Sequence, residues 1–312
     1  MILSVTLPFF ALILFGYVAA WRRWVPPEAV PAFNGFLLYF AVPAMLFRFA
    51  ANTPTAELLN GRFALAWALS GMAVVVLVTF AAVRLAGVRM RDAAFFGLAG
   101  GVGNLGFMGV PMMVALLGEG AAAAMILAIV IDNIVVGSTG LALAEMSGAT
   151  RKGWREDVRD GIVRVVLNPF IVSMVLGAAF SAGGWRLPTF AESIVKLLAD
   201  SAGPCALFAI GVSLVRPDAP LRSPRLAIPI AAKLLLHPLV VWCAMWIFGI
   251  DPFTTLVAVL AAALPSAGWV FIFATRYEAD AGRVSAVILL TTALAFATFS
   301  SLVWLMGVGR AA

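Results

Sequence analysis

Midway through the apolar stretch 120–145 stand two polar residues, Asp132 and Asn133. An aspartate at the centre of hydrocarbon costs about 2.5–3.5 kcal/mol on insertion scales, so it needs a partner or a task at that depth. The chemistry open to it is proton carriage, binding of an ion, or a hydrogen bond to a protonated guest; the structural alternative is an ion pair between helices. A second polar group, Asn104, sits with Leu105 and Gly106 in "GGVGNLGFMGVP" (100–111), behind Gly103 and ahead of Pro111. A third site of interest is Pro265 with Ser266 in "AALPSAGWVFIF" (262–273). Glycine and proline let a helix end, and a fresh helix start presents N–H donors with partial positive charge. Together with an asparagine amide, such donors hold an anion without a fixed counter-ion that would trap it.

The remaining buried-looking charges have bland alternatives. Asp200 follows Lys196 by one helical turn and reads as a self-contained i,i+4 pair. Lys233 is a candidate partner for Asp132, and His237, the single histidine, reads as a hydrogen-bonded packing residue ahead of Pro238. Cys205 and Cys243 both lie inside apolar segments, which argues against a disulfide or metal framework. "GSTG" (137–140) places Thr139 where an intramembrane serine protease needs its nucleophile, and "EDVRD" (156–160) falls in a basic loop as a solvated face. The sequence therefore points away from an enzyme, and to no cofactor, metal or nucleic-acid partner.

The elements that must position these residues follow from composition. Of 312 residues, 63% are hydrophobic and 12% charged, and mean hydropathy is +1.05; soluble domains carry about 25% charged residues. With about 20 apolar residues per crossing, spans are expected at 3–21, 31–50, 63–86, 93–117, 120–145, 162–182, 188–214, 225–249, 252–275 and 283–307. Lysines and arginines crowd the connections after odd-numbered spans, from Arg22 and Arg23 through the basic stretch 151–164 to Arg276 and Arg283. The opposite side carries Arg48, Arg62, Arg186 and Arg310. The positive-inside rule then places both termini outside the cytoplasm. "LPFFALILFG" (7–16) aligns with "NPFIVSMVLG" (168–177), and "AVPAMLF" (41–47) with "AGPCALF" (202–208), both at an offset of 161. That offset predicts an all-α integral membrane fold of ten transmembrane helices in two inverted five-helix repeats, 1–145 and 162–312, joined by a short cytoplasmic loop, 146–161. It also sets Pro265 against Asn104, so the fourth and ninth spans are expected to be broken at equivalent depths, with the breaks at Gly103, Pro111 and Pro265.

Five motifs, "FAVPAMLF" (40–47), "GNLGFMGVPMM" (103–113), "DN" (132–133), "GPCALFAIGVSL" (203–214) and "AALPSAGWVFIFATRYEAD" (262–280), spread along nearly the whole chain, give it a recognisable likeness. It resembles the auxin efflux carrier family, which includes plant PIN carriers and bacterial permeases often described as malate or malonate carriers. The resemblance implies ten helices in two inverted repeats whose fourth and ninth helices cross at their breaks, an arrangement shared with bile-acid symporters and NhaA. It also implies a substrate pocket lined by Asn104, Leu105, Gly106, Asp132, Asn133, Pro265 and Ser266, and a homodimer in the cell's inner membrane. Two departures stand out. Gly103 occupies a place where plant members have proline, and Trp67 occupies one where they carry an acidic residue, leaving Asp132 as the candidate for proton or ion coupling.

The expected function is alternating-access transport of small organic anions, auxin-like or dicarboxylate, with export favoured by an inside-negative potential at about 2.3 kcal/mol per charge per 100 mV. The alternative is a sodium-coupled organic-anion symporter of the bile-acid type, which would need several converging carboxylate and hydroxyl oxygens near the breaks.

Overall fold

The computed structural model describes residues 2–26, 29–54, 60–146, 169–213, 215 and 221–308. Apart from a single isolated bridge, the regular structure described is helical: α1 (Ile2–Trp21), α2 (Val30–Asn52), α3 (Gly61–Ala86), α4 (Met90–Gly101), α5 (Leu105–Leu117) and α6 (Glu119–Glu145) precede the stretch 147–168. After it come α7 (Pro169–Gly183), α8 (Thr189–Ser213), α9 (Pro224–Ile247), α10 (Pro252–Ala262), α11 (Trp269–Arg276) and α12 (Ala281–Leu305). The expected loop 146–161 lies, beyond Met146, outside the described residues.

Among the described residues six helices, α2, α3, α6, α8, α9 and α12, are long and apolar enough to cross a membrane. The other apolar stretches are shorter: Phe10–Trp21, Leu105–Leu117, Pro169–Gly183 and Pro252–Ala262. This corrects the expected fold class. The protein is an all-α, multi-pass membrane fold with about six long apolar helices, not ten transmembrane helices in two inverted repeats. The physical reason is that summed hydropathy rewards apolar composition whether or not the backbone stays helical, and the stretches 93–117 and 252–275 each contain a helix end.

Helix starts follow local chemistry. The Asn60 side chain accepts from the Phe63 N–H at 3.1 Å, Asp251 from Thr254 at 2.9 Å and Asp280 from Arg283 at 3.0 Å. Burial acts to raise the Asp251 carboxyl pKa, but hydrogen bonds from Thr254 and Phe253 outweigh it and hold the group below its usual value.

Four helices carry one widened π-turn each, at Leu37–Ala41, Leu105–Gly109, Asp132–Val136 and Ala232–Leu236. Three of these precede Pro43, Pro111 and Pro238. A proline clashes with the carbonyl four residues back, here that of Tyr39, Phe107 or Leu234, and an i→i+5 turn moves that carbonyl aside. Pro111 therefore sits in the first turn after the π-turn of a helix that runs on to Leu117, and the chain leaves helical geometry earlier, at 102–104.

Packing places the interrupted elements in the interior. Every residue of α4 from Asp92 to Gly101 is buried, as are Val257–Ala262 of α10. Helix α4 rests on α3 through Gly97, where a Cβ would press on the Val75 carbonyl. Helices α1 and α8 approach reciprocally: a side chain on Gly16 would collide with the Phe208 carbonyl, and one on Gly211 with the Ile13 carbonyl. The large exposed side chains are mostly apolar, Leu14, Phe15, Leu77, Leu197, Trp246 and Ile272 among them, as a surface facing lipid requires.

Candidate functional site

The site is built where α4 gives way to α5 and α10 gives way to α11. Gly101 and Ala262 end their helices, and the two non-helical segments run antiparallel with Gly103 bridged to Ser266. The Asn104 N–H donates to the Pro265 carbonyl at 2.8 Å and the Ala267 N–H to the Val102 carbonyl at 3.2 Å. The Ser266 hydroxyl donates to the Ala99 carbonyl at 2.6 Å, and the Ser266 N–H donates to the Thr291 hydroxyl of α12 at 3.2 Å. These bonds satisfy backbone groups that hydrocarbon could not. They commit several of the amides at the two interruptions. Among the described residues the N–H groups of Gly106, Phe107, Gly268 and Trp269, at the starts of α5 and α11, have no protein acceptor.

A cavity of about 50 Å³ lies against these helix starts, lined by Gly103 to Phe107, Ile129, Asp132, Asn133, Phe170, and Ala267 to Trp269. Among the described residues the Asn104 side chain has no hydrogen-bond partner. The Asn133 amide donates to the Ile129 carbonyl at 2.7 Å, which leaves its side-chain oxygen as an acceptor. Of the residues singled out from sequence, Asn104, Leu105, Gly106, Asp132 and Asn133 line this cavity, with Gly103 beside them. Pro265 and Ser266 do not; they sit one to two residues behind the lining and tie the two interruptions together. Phe170 of α7 and Trp269 of α11 are lining residues that the sequence reading missed. No periodicity marks an aromatic as pocket-facing, although Phe170 lies in one of the blocks that the offset matched.

Behind the cavity lies a buried polar cluster. The Trp67 indole donates to Asp132 Oδ1 at 2.8 Å, while Asp132 Oδ2 is buried with no hydrogen-bond partner among the described residues. Lys233 is fully buried; its ammonium donates to the Ala262 carbonyl at 2.9 Å, the orphan end of α10, and lies 2.8 Å from His237 Nδ1. Lys233 and Asp132 interact electrostatically without forming a direct ion pair. The π-turns explain how these groups reach the interior, because Asp132, Asn133 and Lys233 all lie within them. Trp67, read from sequence only as a missing acid, is the hydrogen-bond donor that holds Asp132. Among the described residues no three His, Cys, Asp or Glu side chains gather so as to hold a metal ion.

Other pairings differ from the sequence reading. Asp200 bonds to Arg48 of α2 at 2.9 Å rather than to Lys196. An intrahelical pair contributes only about 0.2–0.5 kcal/mol, so an arginine arriving from a packed neighbour easily displaces it. His237 is buried and hydrogen-bonded, through Lys233.

The family described as "Membrane transport protein" matches residues 1–305. A relative from Rhizobium meliloti (strain 1021) named "Putative malonate transporter" is 33% identical over 310 residues, covering 99% of this chain and 97% of its own. A relative from Escherichia coli (strain K12) named "Uncharacterized transporter YfdV" is 24% identical over 278 residues, 87% of each chain. An all-helical, lipid-facing fold with buried polar groups around a small interior cavity, matched along nearly its full length by this family, belongs to the membrane transport protein family and is a membrane transporter of small solutes, not an enzyme.

Proposed function

We propose that the chain is an alternating-access carrier of small organic anions, dicarboxylates of the malonate class in particular, with the anion seated between the two helix interruptions. The observation that carries this reading is the cavity itself. Among the described residues four uncommitted backbone N–H groups and the free Asn104 side chain surround it, and no arginine or lysine lines it. Donors of this kind bind a carboxylate through partial charge and let it go again. The name of the 33% identical relative supports the substrate class.

In the form described, a cavity of about 50 Å³ offers room for a few water molecules. Taking in a dicarboxylate therefore requires movement of Phe170, Trp269 or the short helices α5 and α11, which is the change an alternating-access cycle makes at each turn. Asp132 is the one ionisable residue among the described lining residues and serves as the coupling group. Its carboxylate opposes a second negative charge nearby, so the binding of an anion is tied to neutralisation of Asp132. We assign the chain to the inner membrane with both termini on the extracytoplasmic side, and its direction to export.

Labelled malonate, malate and indole-3-acetate, offered to the purified protein in liposomes with and without sodium, test the proposal. Saturable malonate transport without sodium is expected, with at least ten-fold weaker binding in Asn104→Ala and loss of transport in Gly106→Val. The Gly106 substitution presses on Phe170, which a Cβ there would approach to 3.3 Å. Asp132→Asn is expected to remove the response to an imposed pH gradient. A requirement for sodium would replace this reading with a sodium-coupled symporter, and indifference to all three carboxylates would end it.

A further inference from the structure

A second, larger cavity of about 700 Å³ opens at the other end of α2, where the C-termini of α2 and α7 meet the start of α8. It shares no lining residue with the cavity between the interruptions. Three cations from three different segments border it: Arg48 on α2, Arg186 in the α7–α8 turn and Lys196 on α8. Among the described residues Glu192 is the single acidic one in the lining. Arg48 is held in place by Asp200 at 2.9 Å through one of its five N–H donors, so the rest of the guanidinium remains available. Among the described residues neither Arg186 nor Lys196 forms an ion pair or hydrogen bond.

One side of the otherwise polar lining is aromatic. Phe47 packs edge-on against Phe180 with ring centroids 5.3 Å apart, and Phe180 against Trp185 at 5.6 Å. Gly177 lets α7 lie directly on the Phe47 carbonyl, and the Ser181 hydroxyl donates to the Thr53 carbonyl at 2.8 Å, closing the floor. Trp185 and Phe190 are exposed beside the opening, the pattern of aromatic residues at a membrane–water boundary. A volume this size exceeds what a three-carbon dicarboxylate fills, and an aromatic side beside three cations suits a ligand with both an anionic group and an apolar portion.

We propose that this cavity is a binding site for a phosphate-class head group, held by Arg186, Lys196 and the free face of Arg48, with its apolar portion against Phe180 and Trp185. The same chemistry can come from an anionic phospholipid of the bilayer or from a soluble phosphate ester. The inference is independent of the substrate assigned to the interior cavity.

The test uses the full-length protein, delipidated and returned to nanodiscs of phosphatidylglycerol or phosphatidylcholine, with retained lipid counted by native mass spectrometry. Glycerol 3-phosphate binding in detergent forms the second arm. The double variant Arg186→Ala/Lys196→Ala is compared with Arg62→Ala, an exposed arginine outside the lining. Both altered side chains are exposed and unpaired, so the fold is expected to survive. Preferential retention of phosphatidylglycerol, weakened ten-fold or more in the double variant alone, identifies the bilayer as the source. Glycerol 3-phosphate binding lost in the same variant identifies a soluble source. Asn104→Ala leaves either result unchanged, which separates this site from the interior one. If neither ligand discriminates wild type from the double variant, the proposal is overturned.

Discussion

Among the described residues the Asp132 carboxylate receives one side-chain hydrogen bond, from the Trp67 indole, and its second oxygen is buried without a partner. A group so incompletely satisfied is sensitive to the donor it has, because an orphaned buried acceptor costs about 1–3 kcal/mol and a charged one more. Trp67→Phe keeps the ring that stacks with Phe63, at a centroid distance of 6.0 Å, and removes only the N–H. It is expected to lower thermal stability by at least that amount, and adding Asp132→Asn should restore part of it by removing the charge. An unchanged melting temperature in the single variant would show that the bond contributes nothing. Sequence made Asp132 conspicuous by depth alone. Its donor stands 65 residues away on another helix, a separation at which no periodic pattern links two positions. Lys233 was equally visible as a misplaced charge, yet its actual acceptor is the Ala262 carbonyl, a backbone group that every residue possesses.

Helix irregularity is the device by which the polar groups reach the interior. Pro238 lies just beyond the π-turn that contains Lys233, and the carbonyl it would otherwise strike belongs to Leu234. Pro238→Ala allows that turn to tighten to ordinary α geometry, which rotates Lys233 away from the end of α10. The expected result is transport reduced ten-fold or more with the melting temperature maintained or raised, since a helix-breaking residue is lost; unaltered transport would show that the turn does not depend on the proline. A different close fit sets the distance between α1 and α8. Gly211→Ala drives a methyl group into the Ile13 carbonyl, so the helices must separate, at a cost of about 1–3 kcal/mol. Thermal unfolding of the variant checks this, and wild-type stability would mean that α1 moves aside freely. Prolines and glycines were legible in the sequence as interruptions. Whether each one ends a helix, widens a turn or admits a neighbouring backbone depends on what packs against it. Pro111 illustrates the point: it reads as a break and instead opens the α-helical part of a helix that continues to Leu117.

At the scale of the whole chain, arginine placement makes the clearest prediction. The connections after α1 and α3 carry Arg22, Arg23, Arg84 and Arg89, against Arg48 and Arg186 at the opposite ends of α2 and α7. A tag fused to either terminus is therefore expected to be cleaved by protease added to spheroplasts, whose outer membrane has been opened, and protection of both tags there would reverse the assigned orientation. The ten-span reading failed for a related reason. Charge and hydropathy report how a segment partitions between water and lipid, but not whether it crosses as one rod, and the segments 93–117 and 252–275 each divide into two short helices. By itself the sequence determined that the chain lives in a bilayer and that Asn104, Asp132 and Asn133 are the polar residues to explain. These conclusions rest on transfer free energies, which are properties of each residue and add along the chain. Only the tertiary structure decided that Asn104 pairs its backbone with Pro265, that Trp67 supports Asp132, and that Arg48 takes Asp200. Such bonds join groups far apart in the chain, and a hydrogen bond forms or fails over tenths of an ångström, a distance that no count of residues encodes.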